Sequence, residues 1–286
     1  MRGTPLARCA VRIALAAAVA ASVPAEAKRI VVMPGAGTPL QDAIEAAEPG
    51  DALVLSSGAY PEAVVVDRAL RLTTASAASV TVGPAVDAPV TLRIAADDVS
   101  LRAGKGAHVT VVGGGPVILI EHARGVRLRD ITADGGVEGL EVRDATRVTI
   151  RDCAMSGSST GVHLAAIAPH ARVVVNGGFA FGSVSGAFLE AIAPGATLGR
   201  SGVVVKRAFV TGGCGGVSIR LVDADGVAIR RNRIAGSIGC IQSVDLDSAS
   251  DRNLITQNEI GPFPVDAGSG NCWRNNVGVA LPTTCP

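Results

Sequence analysis

Aromatic residues and lysine are scarce in this sequence. Only 2% of the 286 residues are aromatic, and Lys28, Lys105 and Lys206 are the only lysines. Recognition of single-stranded nucleic acid needs aromatic platforms for the bases and basic clusters for the phosphates. No block of basic residues stands out, and the formal net charge is +1. We therefore expect no nucleic-acid partner.

Long apolar runs are also missing. The apolar run at residues 13–21 is too short to cross a bilayer core of roughly 30 Å. It follows several arginines and precedes a small-x-small tripeptide at residues 25–27, a pattern typical of a signal peptide. We predict that residues 1–27 are a secretory signal. The mature protein, residues 28–286, is then one secreted or periplasmic domain with no transmembrane segment.

The cysteines are not spaced for zinc, because the sequence contains no CxxC pair. Five cysteines remain after removal of the signal, so at least one is unpaired or pairs between chains. We predict a Cys272–Cys285 disulfide that holds a C-terminal tail at residues 272–286. Cys214 and Cys240 form a weaker second candidate pair, which leaves Cys153.

What the chain does contain is a repeat. The template V-x-I-x-x-N-x-I, with other residues allowed at its sixth position, recurs between residues 126 and 260. A second short segment, in which a glycine is followed three residues later by Val, Leu or Ile, lies between successive copies. No helical period occurs after Ala47. The residues at the sixth position are Ile131, Cys153, Gly178, Ala208, Asn232 and Asn258.

Short strands repeated about every 25 residues cannot bury their apolar side chains alone, so they must stack coil on coil. The pattern predicts an all-β fold, a parallel β-helix with equivalent residues roughly 4.8 Å apart along its axis. Asn232 and Asn258 are expected at a bend, where stacked amides bond along the axis. A leucine-rich repeat is the alternative, but the segment after the asparagine is a further strand and not a helix.

A short helix is predicted before the first coil, over residues 38–48. Thr38 and Gln41 have the spacing of a capping box, with Pro39 at the first helical position. Such a helix covers the open end of a solenoid core and prevents edge-to-edge association.

Residues 38–72 resemble the start of right-handed parallel β-helix proteins of the pectin lyase-like superfamily. The matching pieces are the AI-x-x-A helix, the Pro-Gly-Asp at residues 49–51 and the Gly-Ala-Tyr-Pro-Glu at residues 58–62. The later coils resemble the parallel β-helix repeats of this superfamily, including its NosD-like members. The resemblance implies a single-stranded right-handed β-helix. It does not identify an enzyme family, because the catalytic segments of pectin methylesterases and polygalacturonases are missing.

Stacked coils would place outward residues in rows. One predicted row is Leu119, Glu141, His163, Phe188, Ser218 and Gln242, and the next is Glu121, Arg143, Ala165, Glu190, Arg220 and Asp245. A uronate lyase needs cations that neutralise the uronate carboxylate and a base that removes a proton. The predicted catalytic residues are His163, Glu141, Arg143, Glu190 and Arg220. The alternative is an ordinary exposed sheet with mixed charges.

These observations predict an exported protein that binds or acts on a polysaccharide or cell-surface glycan, with lyase-type chemistry on a uronate polymer as the specific hypothesis. The alternative is a non-catalytic envelope or surface β-helix that serves in adhesion or structure. No cofactor is evident from the sequence, and calcium is the candidate metal. The oligomeric state is left open.

Overall fold

The computed structural model describes residues 27–84, 88–168, 171–192, 202–213, 216–235, 242–278 and Cys285. Within these residues the chain forms one helix, Pro39–Ala46, and three long sheets whose neighbouring strands pair in parallel. The predicted Cys214–Cys240 pair and residues 1–26 of the predicted signal lie outside the described residues.

Successive strands along the chain belong to sheets 1, 2 and 3 in turn. Most coils therefore add one strand to each sheet. Sheet 1 contains Arg29–Val32, Ala52–Leu55, Arg71–Thr74, Ser100–Arg102, Arg127–Arg129, Val148–Arg151, Val173–Asn176, Val203–Lys206, Ala228–Arg230, Leu254–Thr256 and Cys272–Arg274. Sheet 2 contains Gly58–Tyr60, Ser79–Val82, His108–Gly113, Ile131–Gly135, Ala154–Gly157, Phe179–Gly182, Phe209–Gly212, Arg233–Ala235, Glu259–Ile260 and Val277–Gly278. Sheet 3 contains Val64–Val66, Leu92–Ile94, Pro116–Glu121, Glu138–Arg143, Thr160–Ala165, Ser185–Ile192, Val217–Ala224, Gln242–Leu246 and Val265–Asp266.

This arrangement confirms the predicted parallel β-helix. Inward side chains of equivalent strands form aliphatic ladders along the axis, because every coil places the same position of its pattern in the core. On sheet 1, one such ladder joins Leu72, Leu101, Leu128, Ile150 and Val175, all of them buried.

The predicted repeat register is also confirmed. The residues that directly follow the six sixth positions pair with one another between coils: Thr132, Ala154, Phe179, Phe209, Arg233 and Glu259. Coils of different length therefore keep one register at the corner between sheets 1 and 2. The length differences are taken up elsewhere in each coil.

An asparagine ladder forms at this corner, as predicted for Asn232 and Asn258. The Oδ1 of Asn232 accepts from the backbone N–H of Ala208 at 3.0 Å, and its Nδ2 donates to the carbonyl of Val205 at 2.9 Å. The backbone N–H of Asn232 in turn donates to Oδ1 of Asn258 at 2.9 Å. Asn276 extends the ladder by one coil, with its Oδ1 2.9 Å from the backbone nitrogen of Asn258.

The capping helix is confirmed, but the predicted capping box is wrong. The Thr38 side chain makes no cap hydrogen bond to the helix backbone, and it donates to Asp42 instead. Glu62 supplies the cap, since its two carboxylate oxygens accept from the backbone N–H groups of Leu40 and Gln41, each at 2.8 Å. The cap therefore comes from the first coil and joins the helix to the solenoid. No helix in the described part of the chain is long and apolar enough to cross a membrane.

The predicted Cys272–Cys285 disulfide is present. Residues Cys272–Arg274 and Val277–Gly278 add strands to sheets 1 and 2, so the predicted tail at residues 272–286 begins as part of the solenoid. Cys153 is a free, buried cysteine.

Candidate active site

The candidate residues lie on the outer surface of sheet 3. Register pairs place Glu141 beside His163 and His163 beside Phe188 on successive strands, as the sequence predicts. The same pairing places Arg143 beside Ala165 and Ala165 beside Glu190. His163, Glu141, Arg143 and Glu190 are thus brought together on three adjacent strands.

The predicted rows are wrong beyond Phe188 and Glu190. Arg220, and not Ser218, pairs with Phe188, and Glu190 pairs with Val222 instead of Arg220. The predicted neighbours Arg220 and Asp245 do pair with each other. The reason lies in the turn before this strand, which is two residues longer between Gly212 and Val217 than between Gly182 and Ser185 in the preceding coil. Ser218 is consequently buried, and Arg220 joins the first row.

His163 is held between two carboxylates. Its Nδ1 lies 2.8 Å from Oε1 of Glu138, and its Nε2 lies 3.0 Å from Oε1 of Glu190. The ring of Phe188 stacks on the imidazole with centroids 5.0 Å apart. The His163 side chain is only 11% exposed, whereas that of Glu190 is 39% exposed. Glu190 is therefore the member of this group that a ligand meets first.

Two carboxylates can both accept from the imidazole only when both ring nitrogens carry protons. Burial of the ring acts most strongly and by itself lowers the pKa of His163. The hydrogen bond to Glu138 and the charges of Glu138, Glu190 and Glu141 outweigh it together and raise the pKa of His163 above its ordinary value. The raised pKa favours the imidazolium, in which both ring nitrogens donate, so this arrangement suits His163 to donating a proton.

The arginines of the site are each paired with a carboxylate. Arg143 Nη2 lies 2.5 Å from Oε1 of Glu141, and this contact raises the pKa of the guanidinium. Arg220 Nε lies 3.6 Å from Oδ2 of Asp245. A guanidinium has five N–H donors, so each arginine keeps donors for a second partner. Both side chains are roughly half exposed.

Glu138 is the residue that the sequence analysis missed. It lies three residues before Glu141 on the same strand and pairs with Thr160, outside the two rows considered. The alternating pattern gave no signal for it, because Glu138 shares the parity of the inward Leu140 and Val142. Its Oε2 is buried without a hydrogen-bond partner.

Glu138, Glu141 and His163 also form a possible cation site. One ligand atom from each lies within 4.8 Å of the others. An imidazole with two carboxylates suits a divalent transition metal better than calcium, which takes oxygen ligands. A metal would have to replace the proton on Nδ1 of His163, while Glu190 would remain on the other ring nitrogen.

The three parallel sheets, the asparagine ladder and the helical cap define the class of protein as a parallel β-helix. Among solved structures, the chain is similar to an alginate lyase from Paenibacillus sp. str. FPU-7, with 15% identity over 90% of this chain and 97% of the lyase, at a TM-score of 0.63. It is similar to the Dettilon tailspike protein, with 16% identity over 85% of this chain and 54% of the tailspike, at a TM-score of 0.60.

A pectin methylesterase from Aspergillus niger is a further match, with 14% identity over 92% of this chain and 89% of the esterase, at a TM-score of 0.52. At these identities the likeness establishes a shared fold, and it confirms the resemblance to pectin lyase-like β-helices at that level. No protein-family model and no curated protein matches the sequence.

Proposed function

We propose that this protein acts on an acidic polysaccharide at the outer surface of sheet 3, by lyase-type chemistry on a uronate polymer. The observation that carries the proposal is the pair of hydrogen bonds that hold His163 between Glu138 and Glu190. The arrangement supplies a buried proton donor, an exposed carboxylate and neighbouring guanidinium groups, which are the groups that β-elimination needs.

The roles follow from exposure and charge. The guanidinium of Arg143 neutralises the uronate carboxylate and keeps its ion pair with Glu141. Glu190 removes the proton next to that carboxylate, and the electrons of the broken C–H bond form a carbon–carbon double bond. The glycosidic bond then breaks, and its oxygen takes a proton from the imidazolium of His163. Arg220 lies further along the row that contains His163 and Phe188, and it binds an adjacent sugar unit.

The test is to incubate the protein with a panel of uronate polymers, with and without calcium, and to follow the ultraviolet absorbance of the unsaturated product. His163→Gln and Glu190→Gln should each lower the rate by about 100-fold or more, the range for loss of a positioned acid or base. Glu259→Gln is the matched control, because Glu259 is an exposed glutamate paired with Arg233 on sheet 2. Absence of unsaturated product from every polymer in the panel contradicts the lyase proposal.

A non-catalytic surface module is the second candidate function, and one observation favours it. On sheet 3, Arg93, Arg143, His163 and Arg220 are each within an ion pair, as in an ordinary mixed-charge sheet. This candidate predicts binding of the polymer without product. Binding that persists in Glu190→Gln, together with no turnover by the unaltered protein, would support it.

Export is part of the proposal. A secreted or periplasmic location places the protein where polysaccharides are found, and the predicted signal peptide at residues 1–27 supports it. Mass spectrometry of the protein recovered outside the cytoplasm should give a new N-terminus at Lys28. Recovery only in the cytoplasm, with Met1 retained, would contradict it.

A further inference from the structure

The outer surface of sheet 1 carries a row of cations. Register pairs connect equivalent positions from one coil to the next. The row reads Thr73, Arg102, Arg129, Arg151, Asn176, Lys206, Arg230, Thr256 and Arg274. No carboxylate occurs in it. Like charges on adjacent strands repel one another, so such a row lowers stability unless an anion covers it.

From Arg129 onward, the residue after each row member lies at the corner to sheet 2 and has a positive φ. In the earlier coils this corner holds Asp130 and Asp152, which pair with the preceding Arg129 and Arg151 at 3.1 Å. In two later coils the same corner holds Arg207 and Arg231. The carboxylates that pair with Arg129 and Arg151 are thus replaced by further cations in the coils of Lys206 and Arg230.

Lys206, Arg207, Arg230, Arg231 and Arg274 are named here the cationic stripe. All but Lys206 are exposed, and within the described residues none of the five has an ion pair with a carboxylate. Together they line one surface depression. Partial desolvation, followed by the charges of neighbouring arginines including Arg230 and Arg207, lowers the pKa of Lys206. The local potential is therefore positive.

We propose that the cationic stripe is a second binding surface, which takes a linear acidic polysaccharide lying along the helix axis. Its cations repeat over three coil steps, roughly 14 Å at the spacing of paired strands. Guanidinium groups bind carboxylate and sulfate through paired N–H donors. Val204 and Leu254 lie in the neighbouring outward row and are partly exposed, which provides apolar contact for sugar rings.

The absence of aromatic residues from this row favours a polysaccharide over single-stranded nucleic acid. Base stacking needs an aromatic platform. Trp273, the nearest aromatic along the chain, is buried. Phe179 and Phe209 belong to sheet 2 and stack on each other with centroids 5.5 Å apart, so one face of each ring is already covered.

The stripe lies on a different sheet from the His163 cluster and makes no use of its residues. It would hold the polymer while sheet 3 acts on another stretch or another chain. Binding and product formation are separate measurements, so the two proposals can fail independently.

The experiment measures the affinity of the full chain without the predicted signal for polygalacturonate, dextran sulfate and neutral dextran, at low and moderate salt. The stripe variant carries Lys206→Gln, Arg230→Gln and Arg274→Gln. The control variant carries Arg102→Gln, Arg129→Gln and Arg151→Gln, which removes the same charge from the half of the row in which Asp130 and Asp152 pair with Arg129 and Arg151. The anionic polymer that binds with the higher affinity shows whether the stripe prefers carboxylate or sulfate.

We expect the stripe variant to bind its preferred polymer at least about tenfold more weakly at low salt, with a smaller dependence of affinity on salt. The control variant should lose less than about threefold, and both should retain any lyase rate at saturating polymer. The proposal is overturned if the unaltered protein binds neither anionic polymer, if both variants lose affinity equally, or if single-stranded DNA of equal charge binds as tightly as polygalacturonate.

Discussion

The Nε2 of His163 lies 3.0 Å from Oε1 of Glu190, which comes from the next strand of sheet 3. This contact joins two coils through a charge on the imidazole. It therefore makes the stability of the β-helix depend on the protonation state of one side chain.

We predict that His163→Gln lowers the free energy of unfolding in a pH-dependent manner. The pKa of His163 is raised in the folded state above its ordinary value of 6.5. A raised pKa contributes stability that is fully present below about pH 6.5 and is lost as the pH rises through the folded-state value. The difference from the unaltered protein should thus be largest near pH 6 and shrink as the pH rises above 6.5 through the folded-state pKa.

Urea unfolding at several pH values measures this difference. His108→Gln is the matched control, because His108 is an exposed histidine on sheet 2. A destabilisation by His163→Gln that is constant with pH, or that grows as the pH rises, would show that His163 is not held as an imidazolium.

Asn232→Ala should lower the free energy of unfolding by roughly 1–3 kcal/mol, because it leaves the buried N–H of Ala208 and the carbonyl of Val205 without partners. Gln257→Ala is the control at an exposed corner position, where a change within about 0.5 kcal/mol is expected. Denaturant unfolding compares the two. Equal effects would mean that the ladder does not stabilise the stack.

The sequence was sufficient for the fold because the core signal repeats. Each coil places valine, isoleucine or leucine at the same pattern positions, so errors in one coil do not change the assignment. The residues Cys153, Gly178 and Ala208 occupy the asparagine position and still keep the register.

The candidate site was predicted correctly only in the coils whose turns before the sheet 3 strand have the same length. His163, Glu141 and Arg143 follow from a constant spacing, whereas Arg220 was displaced by two extra residues in a turn whose length the strand pattern does not encode. Glu138 was missed because strand alternation assigns it to the inward side, with Leu140 and Val142.

The cationic stripe could not be seen as a basic block in the sequence. Its members lie in coils about 25 residues apart, and only the stacking of coils brings Lys206, Arg230 and Arg274 onto one surface. The near-neutral net charge of the whole chain therefore gave no sign of this local cluster of cations.

Glu62→Ala should destabilise the protein by about 1–3 kcal/mol, because the N–H groups of Leu40 and Gln41 lose a charged acceptor at the start of the capping helix. Glu45→Ala is the control, as Glu45 is exposed on the same helix. Thermal or denaturant unfolding gives the comparison. Loss of stability in Glu45→Ala alone would mean that the helix is not held by the first coil.

The thiol of Cys153 should resist alkylation in the folded protein. Burial raises the pKa of this thiol to about 11, and its Sγ donates to the carbonyl of Arg151 at 3.2 Å. At pH 8 only about one molecule in a thousand then carries the reactive thiolate, and the core shields that fraction as well. Iodoacetamide labelling followed by peptide mass spectrometry should therefore find Cys153 unmodified in buffer and fully modified in denaturant. Rapid labelling of Cys153 in buffer would show that this cysteine is at the surface. The corner position, which Cys153 and Gly178 occupy in successive coils, would then not be packed as the strand register requires.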